Sequence, residues 1–266
     1  MRIFKIWVEY SKELDIDGIK QSSKVYGGSN ISESDAIIDA QNKLNRAQRI
    51  IYGELQKDEE YESDIVEEII EKIDDENIVT RNRYGALVLN SKRIMFIDVD
   101  NYSKSITDHF FRKNLSVKEL MLTKIKKTIN QKKYSHLGFR VYETNKGYRI
   151  LVTNKNFNPR SKESKKMMED FNADYLYRWL CIKQNCYRAR LTPKPYRIKQ
   201  KGIKVIYPKR SKEQQKQLDD WIIKYEQKSR EFSSCHLVYQ FGEVKVDKII
   251  EYHDRLSGVK WPNKLA

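Results

Sequence analysis

The run Arg93-Ile94-Met95-Phe96-Ile97-Asp98-Val99-Asp100 constrains the fold more than any other stretch of the chain. It is short, apolar and rich in β-branched and aromatic residues, so it reads as a strand close to a core, and it ends in two carboxylates one residue apart. Such a strand needs partners, and the adjacent sequence supplies them. Tyr84 to Leu89 precedes it across a turn at Asn90-Ser91-Lys92, which predicts a hairpin. Phe139 to Thr144 and Tyr148 to Thr153 flank Asn145-Lys146-Gly147 and predict a second one, with Gly or Asn supplying the positive backbone angle of a tight turn. Between the hairpins Ser116 and Glu119 form a capping-box signature for a helix running toward Asn130. Two strands, a helix and two strands predict an α+β chain on an antiparallel sheet.

The flanking segments read as additions to this core. Phe4, Ile6, Val8 and Tyr10 alternate with mostly polar residues as in a half-buried strand, and Gly27-Gly28-Ser29-Asn30 reads as a loop. From Ser34 to Leu55 the apolar residues fall on one helical stripe, with Ser32, Ser34 or Asp35 as cap. Ile65, Val66, Ile69, Ile70 and Ile73 recur at helical spacing and predict a second, acidic amphipathic helix ending near Asp75. Residues 1–80 are therefore expected as a strand and two helices, 81–210 as the core, and 211–266 as a C-terminal helical extension. Within the core a helical stretch from Ser161 to Lys183 breaks near Asn172. Arg188 to Leu191 is a short strand, Thr192-Pro193-Lys194-Pro195 a rigid turn, and Ile203 to Tyr207 a last strand. A helix from Lys212 to Ser229, a strand at Leu237 to Phe241 and a helix from Val244 to His253 follow.

Composition narrows the class. Of 266 residues 39% are hydrophobic, with only 10 glycines and 5 prolines, which describes a folded chain rather than a linker or a repeat fibre. No apolar stretch reaches the ~18 residues of a membrane span, and residues 1–10 lack the apolar block of a secretory leader, so the expected address is the cytoplasm with no membrane partner. Cys181, Cys186 and Cys235 lack Cys-x-x-Cys spacing and are expected as free thiols. His109, His136, His236 and His253 are too scattered for a helical zinc pair.

Charge points to the partner. The net charge is +15, yet residues 51–80 hold 12 acids against Lys57 and Lys72, while residues 101–210 hold 28 basic residues against 7 acids. A local excess of that size attracts polyanions, and Arg178, Trp179, Tyr187, Arg188, Arg190, Tyr196 and Arg197 interleave phosphate forks with stacking faces. Nucleic acid, DNA or RNA, and nucleotides are the expected partners.

Side chains at i and i+2 of a strand share a face, so Asp98 and Asp100 can converge on one cation. Magnesium or manganese, held by these two carboxylates and by substrate phosphates, suits phosphoryl or nucleotidyl transfer. Lys146 and Arg149, beside Gly147, are candidates for the triphosphate, and Arg188, Arg190, Lys194 and Arg197 for nucleotide or template phosphates.

In this order, an Asp-x-Asp strand, a hairpin with Thr144-Asn145-Lys146-Gly147-Tyr148-Arg149 and a strand with Arg and Pro, the region from Tyr84 to Arg197 resembles the catalytic core of the archaeo-eukaryotic primase-polymerase superfamily. The resemblance implies an RRM-like antiparallel sheet carrying a metal-binding Asp-x-Asp, matched by Asp98 and Asp100. It also implies a small residue followed by Gly and a nucleotide-binding His, and a further metal carboxylate. Arg149 stands where the family places His, and Glu143, Asp108 and Asp174 are the acids available for the third position. The expectation is a nucleotidyltransferase of primase-polymerase type. The alternatives are a non-catalytic DNA- or RNA-binding module on the same sheet, or a metal-dependent nuclease using the same carboxylates.

Overall fold

The computed structural model describes residues 1–16, 19–56, 62–100, 114–243, 245 and 247–266. The chain is α+β with antiparallel sheets. It opens with a hairpin of β1 (Ile6–Ile16) and β2 (Ile19–Ser29), followed by α1 (Glu33–Ile51). Strands β3 (Glu68–Lys72), β4 (Asn77–Arg81), β5 (Leu87–Ser91) and β6 (Phe96–Val99) precede α2 (Val117–Ile129) and the pair β7 (Phe139–Thr144) and β8 (Tyr148–Val152). Helices α3 (Lys162–Asp170) and α4 (Tyr175–Gln184) lead to β9 (Tyr187–Arg190). The chain closes with α5 (Lys212–Ser229), β10 (Phe232–Ser233), β11 (Cys235–Phe241), α6 (Lys248–Leu256) and β12 (Lys264–Leu265). Among the described residues no helix is long and apolar enough to cross a membrane.

Two four-stranded sheets position the site: one in the order β11-β7-β8-β6, the other β3-β4-β5-β9. From β6 to β9 the chain runs strand, helix, strand, strand, helices, strand, the order of a split β-α-β unit. One face of the first sheet, with Phe139, Val141 and Ile150, belongs to the main core together with Met121, Ile125 and Ile129 of α2 and Met167 and Met168 of α3. Alternation sends Asp98, Arg140, Tyr142 and Arg149 to the opposite face, where α6 lies: the ring of His253 is 5.3 Å from Phe96 and 5.1 Å from Tyr142.

Several expectations hold. The second hairpin pairs Tyr142 with Arg149. The Ser116 capping box is complete, with Ser116 Oγ accepting from Glu119 N and Glu119 Oε2 accepting from Ser116 N. The helical stretch breaks at Asn172, whose φ of 54° no helix accommodates. Helix α5 covers Lys212–Ser229 as expected, and all three cysteines are buried and free of disulfides.

Other expectations fail for identifiable reasons. β5 and β6 do not form a hairpin; they enter different sheets, β5 between β4 and β9, β6 against β8. Each is buried almost throughout, and a strand with no wet face gains more from joining a larger sheet than from its nearest neighbour. The acidic helix is replaced in its described part by edge strand β3; Glu67, just before it, accepts from Arg188 at 2.6 Å, and Glu68, its first residue, from Arg210 at 2.6 Å. Gly27 and Gly28 extend β2 rather than forming a loop; a Cβ on Gly27 would lie 1.8 Å from the Ala36 carbonyl oxygen of α1, so glycine is required by close approach. No strand forms at 203–207. The C-terminal segment adds β11 to the sheet alongside β7 as well as its helices.

Candidate functional site

β6 delivers the carboxylates. Its pairing with β8 sets Asp98 opposite Arg149 and Val99 opposite Tyr148, so Asp100 follows the last pair, level with the turn that carries Gly147. That turn closes against β6: a Cβ on Gly147 would sit 2.0 Å from the Val99 carbonyl oxygen. Gly147 is thus needed for space and not for a positive φ, correcting the turn argument from sequence.

Asp98 is half-buried and accepts from Arg149 Nε at 2.9 Å through Oδ1; among the described residues Oδ2 has no hydrogen-bonding partner. Asp100 retains an exposed edge. Burial, and after it the Asp98 charge, hold its carboxyl above the ordinary value, against the pull of Arg149, Lys194 and Arg190. Asp100 follows Asp98 by two residues, and the charge of one acts on the other.

Arg149 is 3% exposed, and its donors are committed to Asp98, to the Arg190 carbonyl at 3.0 Å and to His253 Nε2 at 3.2 Å. It is a buried brace behind Asp98, not a phosphate contact on the turn; Lys146, at the exposed tip, is separated from it by the pleat. Arg188 and Arg190 share a face of β9, as alternate positions must, but they differ in commitment. Arg188 is held by Glu67 and by Gln184 Oε1 at 3.3 Å, which removes it from the expected phosphate set. Arg190 donates to the Thr192 carbonyl at 2.9 Å and has no carboxylate partner among the described residues. Burial, then Arg149 and Arg197, push its guanidinium below the ordinary value, the signature of an uncompensated cation. Lys194 acts electrostatically on Asp100; Lys146, Lys194 and Arg197 all act on Tyr196, and Arg197 Nε is buried with no hydrogen-bonding partner among the described residues. Arg190 thus lines the cleft together with Asp98, and Lys194 lies within electrostatic reach of Asp100.

A cleft of about 790 Å³ runs from Asp98 along β9 past Arg190 and Arg188 to Arg83, Tyr84 and Tyr207. Of the acids proposed for a third metal position, Glu143 binds Lys118 on the other face of the sheet, Asp174 caps α4 by accepting from Tyr177 N at 2.9 Å, and Asp108 lies outside the described residues. Among the described residues no group of three His, Cys, Asp or Glu side chains is arranged to hold a metal. Of the two candidate carboxylates, Asp98 lines the cleft, and Asp100 follows the end of β6 as an exposed residue.

Three members of the arrangement escaped sequence reasoning. His253 and Asp254 of α6 complete a buried line from Asp98 through Arg149 and His253 to Asp254, which takes His253 Nδ1 at 3.0 Å and Arg140 Nη1 at 2.8 Å. Nothing in the local sequence marks the His-Asp pair. Arg140 could have been found, since in the hairpin register it shares the face of Tyr142 and Arg149. No protein-family model, curated protein or solved structure matches this chain.

Proposed function

We propose that this chain is a magnesium- or manganese-dependent nucleotidyltransferase of primase-polymerase type that acts on nucleoside triphosphates and a nucleic-acid strand. The observation that supports the reading best is Asp98 in the lining of a cleft shared with Arg190, a cation with no carboxylate partner among the described residues, while Asp100 two residues on feels the charges of both Asp98 and Lys194. Asp98 Oδ2 and Asp100 would hold the ion, a donor set that fits one completed by substrate phosphates. When bound, a divalent ion aligns the triphosphate and offsets charge on its oxygens.

The chain's own residues do the rest. Arg149 fixes the Asp98 carboxylate in one orientation and balances its charge from behind, leaving Oδ2 toward the cleft. Arg190, Lys194, Arg197 and Lys146 draw phosphates to the mouth, and the cleft beyond, with Arg83 and Tyr84, gives a strand both charge and a stacking face. Purified protein given labelled nucleoside triphosphates, a primed or unprimed strand and magnesium is expected to extend or initiate chains. Asp98→Asn and Asp100→Asn should each reduce product by about a hundred-fold or more. Absence of turnover with every nucleotide and with both metals would reject the reading.

One observation favours a non-catalytic strand-binding module instead: Arg149 already neutralises Asp98. That module would bind strands equally well after Asp98→Asn. A nuclease using the same carboxylates would degrade strands without added nucleotide.

A further inference from the structure

A second cleft, of about 710 Å³, opens beside α6 and shares no lining residue with the cleft at Asp98. Its floor is Arg140, which reaches from β7 and is 8% exposed. A buried guanidinium demands nearly complete pairing, yet Arg140 has one carboxylate, Asp254, which also serves His253, and its Nε is buried with no hydrogen-bonding partner among the described residues. Around this floor stand Lys248, Arg255 and Lys260, all exposed, with Glu251 as the one further acid in the lining. At the rim Trp261 leaves 47% of its surface in solvent. Tyr252 adds a second ring, its hydroxyl engaged by Glu71 at 2.6 Å and its face under Arg255 at 5.2 Å.

We propose that this cleft is a second ligand site, which binds a nucleotide with its phosphates on Arg140, Lys248 and Lys260 and its base against Trp261. A phosphate supplies what the floor lacks, an acceptor for an unsatisfied buried guanidinium and counter-charge for the surrounding cations. The base supplies what the rim lacks, a flat apolar partner for the indole. The volume lies in the range of small-ligand pockets. The site uses neither Asp98 nor Asp100, so it stands or falls apart from the phosphoryl-transfer reading.

The test is calorimetric titration of the full chain with ADP, metal chelated. Binding is expected to weaken about ten-fold or more in the double variant Lys248→Ala/Lys260→Ala and in Trp261→Ala, and to persist in Asp98→Asn and Arg190→Ala. Lys248, Lys260 and Trp261 are all exposed, so the first two variants fold. Pyrophosphate, which lacks a base, should bind more weakly than ADP to the native chain. No ADP binding, binding indifferent to the Lys248/Lys260 and Trp261 substitutions, or pyrophosphate bound as tightly as ADP would overturn the proposal.

Discussion

Arg149 donates to Asp98, to the Arg190 carbonyl and to Nε2 of His253, and the last of these bonds dictates the state of the imidazole. An arginine only donates, so Nε2 must accept, which leaves the proton on Nδ1 facing Asp254 Oδ1. His253 is therefore neutral. Its environment agrees: complete burial first, and Arg149 after it, lower its pKa from the ordinary 6.5, outweighing Asp254. A histidine whose folded pKa is lowered contributes stability that is full above the unfolded value and lost as pH falls below it, because the unfolded chain takes up the proton first. The denaturation midpoint of the native chain should thus fall between about pH 7 and pH 5 with a slope approaching one proton, and His253→Gln, which cannot titrate, should flatten that slope. Denaturant titrations at several pH values check this; parallel curves for the two proteins would place His253 outside the titrating set.

At the scale of elements, the β7–β8 hairpin does most to build the site, because its turn abuts β6 and its second strand carries Arg149 opposite Asp98. Gly147→Ala would drive a methyl into the Val99 carbonyl, and the turn must lift from β6 to relieve it. We expect a loss of about 1–3 kcal/mol in unfolding free energy together with weaker metal-dependent activity, whereas Gly202→Ala, at a position with open space, should change neither. Equal stability for both variants would remove the close approach as the reason for glycine. This hairpin was legible from sequence because turn residues and strand period agree locally, and so were the α2 capping box and the Asn172 break. What was illegible depended on distant partners. Apolar periodicity marked β5 and β6 as strands but could not say that each joins a different sheet. The isoleucine spacing of residues 65–73 favours a helix in isolation, but Glu67 and Glu68 are bound by arginines 121 and 142 residues away, and those pairs hold the segment extended. In the site, Asp98, Asp100 and Arg190 were visible as strand positions. The roles of Arg149 and His253 were not, since they depend on α6 folding back over the sheet from the far end of the chain.

Over the whole molecule, carboxylates among the described residues pair with arginines from distant parts of the chain. Glu67 answers Arg188, Glu68 answers Arg210, Asp254 answers Arg140 and Asp247 answers Arg93, each joining segments far apart in sequence. With a net charge of +15, this leaves an excess of bases, of which Arg190 lines the cleft beside Asp98 and Lys194 acts on Asp100. If those cations meet phosphates, each contact releases condensed counterions, and binding of a single strand must weaken linearly in the logarithm of salt with a slope near −0.7 per phosphate neutralised. Diffuse attraction by the total charge behaves differently: removing any one lysine alters affinity slightly and leaves the slope almost unchanged. Arg190→Ala and Lys194→Ala are therefore each expected to reduce the slope by about 0.7, while substitution of Lys12, an exposed lysine outside the cleft lining, should not. Asp98→Asn should leave the slope intact even where it abolishes turnover, because the carboxylate contributes to chemistry rather than to phosphate neutralisation. Slopes that respond equally to Arg190, Lys194 and Lys12 would mean that the strand is held by net charge alone and that the cleft mouth has no special part in binding it.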